Sequence, residues 1–340
     1  MNGILIVDKP SGWTSFDVIA KLRGILGTRK LGHSGTLDPM ATGVLPVFAG
    51  GASKAVDMQP DHTKAYRALI RFGIATDTGD VTGAVLRSEQ TAVTEEQLRA
   101  VLPRFTGDIL QTPPMYSAVK VNGSPLYKLA RQGVTVERKA RPVTIHRLEV
   151  TGREGEQDFV LEVDCSKGTY VRTLVEDLGA ALGCPACLAA LRRTRAGAFT
   201  LEGCVTLEAI QAAKEAGELE KLLLGVDTVF THLPAAEVSE KETARLLNGA
   251  PVRRAEMADW ARENLVGLPY GLFSGLAWLG ESTGPPATQC AHLVWCACAA
   301  FGYDIDGGGG WPVTPRDISL SPLLETVQVW GLPQGQRWPS

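Results

Sequence analysis

One carboxylate and one imidazole stand five residues apart in the stretch Gly32-His33-Ser34-Gly35-Thr36-Leu37-Asp38-Pro39-Met40-Ala41-Thr42-Gly43-Val44-Leu45. Gly32, Gly35 and Gly43 let the backbone adopt φ values that other residues avoid. Pro39 keeps Asp38 out of the α region. The stretch is therefore predicted to be an irregular loop, lying between a helix that ends near Leu26 and an apolar run over 44–49. A carboxylate fixed in this way can act covalently on an electron-deficient carbon. It can equally do no more than cap a turn, a common use of Asp before Pro.

Other groups of chemical interest are scattered. Tyr66 lies in Lys64-Ala65-Tyr66-Arg67-Ala68-Leu69-Ile70-Arg71-Phe72, where apolar and basic residues alternate. That period predicts a half-buried strand with Tyr66 on the apolar side, as a core residue or a site residue. Tyr170 and Arg172 lie in Ser166-Lys167-Gly168-Thr169-Tyr170-Val171-Arg172, which opens a predicted helix running to about Leu182. Cys184 and Cys187 have the spacing of a zinc or redox pair. No second pair accompanies them, and small buried hydrophobes explain them as well. His62, His146, His232 and His292 form no ligand pair in sequence. Neither a metal nor a cofactor is expected.

The elements that must position these groups read as strands interrupted by helices. Gly3–Val7 is a short buried strand. Thr14 can cap a helix, with Asp17 three residues on, and Val18, Leu22, Ile25 and Leu26 then share a face. Thr94 and Gln97 repeat that pattern before a helix over 94–105. Ser53–Met58 reads as helical, and Val81–Leu86, Val143–Val150 and Asp158–Cys165 as strands. Residues 111–150 form the most basic region, with Lys120, Lys128, Arg131, Arg138, Lys139 and Arg141 interleaved with Tyr116 and Tyr127. Such interleaving suits RNA; a solvated charged face is the plain alternative.

The chain has 340 residues, 44% of them hydrophobic and 21% charged, with a net charge of −3. That composition excludes a disordered chain and suits one large or two ordinary domains. The charge is unevenly placed. Residues 256–340 hold three Arg, no Lys and eight acids, so the remainder is mildly basic. Six of the seven Trp also fall in that acidic tail. Seven scattered cysteines argue against a disulfide framework. The apolar run Ile4–Val7 ends at Asp8-Lys9-Pro10, too short for a signal peptide, and no run approaches a membrane span. A cytoplasmic protein is expected.

Taken as wording, the central loop resembles the active-site motif of the TruB-type tRNA pseudouridine synthases. Further segments share the resemblance: Lys9-Pro10-Ser11-Gly12-Trp13-Thr14-Ser15, Lys64-Ala65-Tyr66, Thr76–Asp80, Lys167–Arg172 and Leu191-Arg192-Arg193. Phe16 departs from a His frequent in the family. The resemblance implies an α/β (α+β) fold with a mixed, largely antiparallel sheet, flanking helices and an inserted, thumb-like RNA-gripping segment at about 111–150. It implies a catalytic domain over 1–254 and leaves 255–340 as an atypical extension, unlike the PUA-type module usual there.

In function, the resemblance implies isomerisation of a uridine in the T-arm loop of tRNA (position 55), with no cofactor, guide RNA, protein partner or membrane. It places Asp38 as the catalytic carboxylate, Tyr66 against the flipped uracil, and Arg172 beside Asp38, keeping it ionised. His33 would fill the space left by the uridine, and Leu191 would line the base pocket. Lys9 and Pro10 would support the loop and, with Tyr170, belong to the substrate site. Three alternatives carry less: a guide-RNA-dependent pseudouridine synthase, an RNA chaperone without catalysis, and a glycosidase, which lacks a convincing second acid.

Overall fold

The computed structural model describes residues 2–121, 123–231 and 239–247. The chain divides into two units, Met1–Phe230 and Thr231–Ser340. Of the second unit the described residues are 231 and 239–247, with the helix Glu240–Leu247. The anticipated boundary at 254 and the extension 255–340 lie outside the described residues.

The first unit is built around one sheet. Strand β1 (Gly3–Lys9) leads through a turn to helix α1 (Ser15–Leu26), which opens on the predicted capping box. Thr14 accepts from the Asp17 N–H at 3.0 Å, and the Asp17 carboxylate accepts from the Thr14 N–H at 2.9 Å. Strands β2 (Leu31–His33) and β3 (Thr42–Ala49) flank the Asp38 loop. The helical segment expected at 53–58 is instead a 3-10 turn over Gly50–Val56. Strand β4 (Lys64–Phe72) buries Tyr66, Ala68, Ile70 and Phe72, as its alternation predicts.

A hairpin of β5 (Ile74–Thr76) and β6 (Val85–Ser88) follows. The strand expected over 81–86 thus starts four residues late. Asp80 explains the delay: its carboxylate accepts from the Thr82 N–H at 2.9 Å and the Thr78 hydroxyl at 3.0 Å, so residues 78–82 form a turn. Helix α2 (Glu95–Val101), again boxed by Thr94 and Gln97, precedes β7 (Gly107–Gln111).

Strands β8 (Lys120–Val121) and β9 (Ser124–Pro125) and helix α3 (Leu126–Arg131) make up the inserted segment. Strands β10 (Arg141–Arg153) and β11 (Asp158–Cys165) return to the sheet. Residues 141–150 are therefore sheet, paired with β7 and β11, and the insertion narrows to about 112–140. Helix α4 (Val171–Ala181), strand β12 (Ala186–Ala196), the short β13 (Phe199–Thr200) and helix α5 (Leu207–Glu215) complete the unit.

The strand order is β1-β3-β12-β4-β11-β10-β7, with β2 on β3 and β13 on β12. Every pairing is antiparallel except β12 with β3. Helices α1 and α5 bury Val18, Leu22, Leu207 and Ile210 against Leu5, Val7, Leu45 and Val47. Helices α2 and α4 bury Leu98, Leu174 and Leu178 against Ile70, Phe72, Phe159 and Leu161. Each such side chain stabilises the fold by about 1.5–3 kcal/mol relative to exposure. Among the described residues, no helix is long and apolar enough to cross a membrane.

The parallel seam is short, with Arg192 beside Thr42 and Arg193 beside Gly43. Gly43 has φ +100°, and a Cβ there would collide with the Arg193 backbone carbonyl. Gly43→Ala should therefore cost about 2 kcal/mol or more. A urea denaturation midpoint unchanged from wild type would contradict this account of the seam.

Candidate active site

The site lies at that seam, where the Asp38 loop, β4, β12 and the start of α4 meet. Arg172 is in the first turn of α4, its side chain 4% exposed. Its Nε donates to one Asp38 oxygen at 2.8 Å and its Nη2 to the other at 3.0 Å. The same guanidinium donates to the carbonyls of Thr78 and Tyr116, both at 2.7 Å. The Asp38 side chain stays 33% exposed, so an incoming group can reach the carboxylate but not its partner.

The loop backbone is held separately. The Ser15 hydroxyl accepts from the Leu37 N–H at 2.9 Å, and the Gly12 N–H donates to the Pro39 carbonyl at 2.9 Å. Lys9 is wholly buried, and its ammonium donates to the carbonyls of Pro10, Trp13 and Pro39. The wholly buried Lys9 thus braces the loop, with the Pro10 carbonyl as one of its acceptors. Burial brings the Lys9 amine down to about 8.

Burial pushes the Asp38 carboxyl above its ordinary value, and the Arg172 charge and hydrogen bonds oppose that rise. The expected pairing is present, but it does not set the direction: loss of water outweighs it. Asp80 adds to the rise and Lys9 counters it.

Tyr66 is 6% exposed, and burial pushes its phenol up to about 12, so it is a neutral ring and hydroxyl rather than a base. Leu191, 7% exposed, shares its apolar cluster with Tyr66, Leu37 and Ala41. Tyr170 caps α4, and the buried Gln111 amide clamps both its N–H, at 2.7 Å, and its carbonyl, at 3.0 Å. Burial also raises the Tyr170 phenol, with Ser117 and the Asp38 charge as neighbours. His33 lies on β2, half-buried, and burial lowers its imidazole. Its Nδ1 is buried without a hydrogen-bond partner, so the Asp38–His33 proximity in sequence is not an acid–base pair in space.

The structure thus brings Asp38, Tyr66, Arg172, Tyr170 and Leu191 together. It adds Ser15, Gln111, Arg193 and the carbonyls of Thr78 and Tyr116, which sequence reasoning did not single out. Ser15 carried no signal beyond its place in a matched segment, and Gln111 none beyond its place at the start of the basic region. Because burial dominates, the Asp38 carboxyl should titrate above the ordinary value of about 3.9. It should move further up in Arg172→Ala, which removes the opposing charge. A 13C NMR titration of the labelled carboxyl checks both; a downward move on losing Arg172 would refute the assignment of causes.

Comparison with known proteins accords with this geometry. The family model described as TruB family pseudouridylate synthase (N terminal domain) matches residues 23–171. The model for the tRNA pseudouridylate synthase B C-terminal domain matches residues 172–231. The tRNA pseudouridine synthase B of Stutzerimonas stutzeri (strain A1501) is 50% identical over 259 residues, covering 75% of this chain and 85% of that protein. The protein of the same name from Ralstonia nicotianae is 48% identical over 252 residues, covering 73% and 80%. Among solved structures, a Cbf5-Nop10-Gar1 complex is similar at 31% identity and TM-score 0.56, covering 73% of this chain and 68% of that one. An H/ACA RNP bound to a substrate RNA containing 2'-deoxyuridine is similar at 29% identity and TM-score 0.56, covering 74% and 67%. With a carboxylate clamped by arginine beside a buried tyrosine, and these matches across most of its length, the chain belongs to the TruB family of pseudouridylate synthases.

Proposed function

We propose that the protein isomerises a uridine in the T-arm loop of tRNA to pseudouridine, in the cytoplasm and without a guide RNA. The observation that carries this reading is the bidentate Arg172–Asp38 pair beside Tyr66 and Leu191. The reaction breaks the C1′–N1 bond and joins C1′ to C5. The proton lost from C5 is matched by one gained at N1, so no oxidant or reductant is consumed. The uridine must first leave the RNA stack.

Each residue then has a role that its environment suits. Asp38 supplies the carboxylate that opens the glycosidic bond, its two oxygens oriented by Arg172. Tyr66 presents a neutral ring to the uracil, and Leu191 lines the pocket. His33 takes the space the base vacates, and Tyr170 closes the pocket on the α4 side. The identity to relatives named tRNA pseudouridine synthase B, 50% against 31% for the Cbf5 complex, favours the tRNA reading over the guide-dependent one.

Wild-type protein should form pseudouridine in a T-arm stem-loop with nothing else added. Asp38→Asn keeps the shape but loses the charge, so single-turnover rates should fall by several orders of magnitude while RNA affinity stays close to wild type. An Asn variant that isomerises at near wild-type rate would remove Asp38 from the mechanism.

The inserted segment exposes Lys120, Lys128, Arg131 and Lys139. If these meet phosphates, neutralising all four should weaken binding and flatten its dependence on salt by roughly 0.7–0.9 per lost contact in the log–log slope. The rate at saturating RNA should change less. An unchanged slope would return the segment to an ordinary solvated face.

A further inference from the structure

On β12, Arg192 pairs with Asp8 at 2.8 Å and Arg195 with Asp164 at 3.0 Å. Arg193, wholly buried between them, meets no carboxylate among the described residues. Its Nε and Nη2 donate to the carbonyls of Val44 and Gly35, and its Nη1 has no hydrogen-bond partner. Lys64 is half-buried nearby, and its ammonium donates to the His62 carbonyl at 2.8 Å and pairs with no acid among the described residues. A buried cation without a counter-charge is costly to a fold. The wholly buried Arg193 with a part-exposed ammonium beside it makes a place that an incoming anion can reach from the Lys64 side.

The two cations are placed together by the sheet. Lys64 and Tyr66 share one face of β4, and Arg193 lies opposite Tyr66 in the β12 register. Gly35 packs close against both and so holds them together: a Cβ there would stand 2.9 Å from Lys64 Cε and 3.3 Å from Arg193 Nη1. Lys64 also pairs in register with Cys165 at the end of β11, two residues before the exposed Lys167. The charges of Arg193 and Lys167 both act on Lys64, which burial and these neighbours bring down to about 8. The carboxylate whose charge acts on Lys64 is that of Asp61, which pairs with Arg195 at 3.6 Å, and Asp38 is held by Arg172.

Uracil is neutral at the pH of the reaction, so the anions that a uridine in RNA brings are its phosphodiesters. We propose that Lys64, backed by the buried charge of Arg193 and flanked by Lys167, binds a phosphodiester adjoining the flipped uridine. This rests on the pseudouridine synthase reading above and goes beyond it. The exposed basic residues of the inserted segment hold the RNA at a distance from the site. Lys64 grips the target nucleotide itself, two residues from the ring that receives its base. Its role is positioning: it keeps the nucleotide out of the stack while the glycosidic bond is broken.

The test uses T-arm stem-loops carrying one uncharged methylphosphonate linkage, either 5′ or 3′ to the target uridine. Wild-type protein should lose about tenfold or more in affinity at one of the two positions, the range for a charge-assisted hydrogen bond. Lys64→Met should lose a similar factor on the all-phosphate RNA and lose little more on the methylphosphonate RNA. Lys64→Arg should keep most of the wild-type behaviour, and Lys167→Met should fall between. If Lys64→Met is as sensitive to the neutral linkage as wild type, or wild type is indifferent to both linkages, the proposal is overturned. Because the readout is binding, its failure is separate from a failure of wild type to form pseudouridine in the unmodified stem-loop.

Discussion

The Arg172 guanidinium donates to Asp38, to the Thr78 carbonyl and to the Tyr116 carbonyl, so three separate loops converge on one side chain. Those loops come from before β3, after β5 and the start of the inserted segment. A buried arginine tolerates its loss of water only when its donors are met, and removing one partner of such a pair typically costs about 3–5 kcal/mol. The arrangement therefore links chemistry to architecture. The Asp38 carboxylate is also the counter-charge of the arginine in the first turn of α4. The inserted segment cannot shift by much without withdrawing an acceptor from the same cation.

The site carries an excess of positive charge around that point. Lys9 satisfies its ammonium with three backbone carbonyls, and Arg193 uses two. Carbonyl dipoles hold a cation in place without cancelling its charge, unlike a carboxylate. The result is a pocket that is rigid before RNA arrives and still attractive to an anion. Rigidity of this kind is what electrostatic preorganisation requires.

Much of this was legible in the sequence because local rules and the final fold agree. The Thr14 and Thr94 caps, the alternation in β4 and the Asp38-Pro39 turn each follow from a few neighbouring residues. β12 was not legible as the central strand. Its register shifts between Leu188 and Ala190 and between Arg193 and Arg195 break the alternation that marks a strand. Three arginines in four positions also read as surface, yet Arg193 is wholly buried because backbone carbonyls, invisible in a sequence, receive it. The same limit applies to Asp38: its partner was expected, but the balance between that partner and burial depends on how much water the folded pocket excludes. The strand over 143–150 was expected, but the insertion was drawn to 150 because the basic run continues to Arg141, and that strand belongs to the main sheet.

The position of β12 also governs the order in which the chain can assemble. It fills the gap between β3 and β4, yet it is synthesised over a hundred residues after both. The outer edge of β1 is covered later still, by bonds from the backbone at Val205 and Leu224. Until those segments leave the ribosome, β1, β3 and β4 have unpaired edges open to misassociation with other nascent chains. Contacts this distant along the chain make closure slow. The first strand made waits for nearly the last part of the unit, so this domain completes its fold as a whole and late, and the nascent chain needs shielding until then.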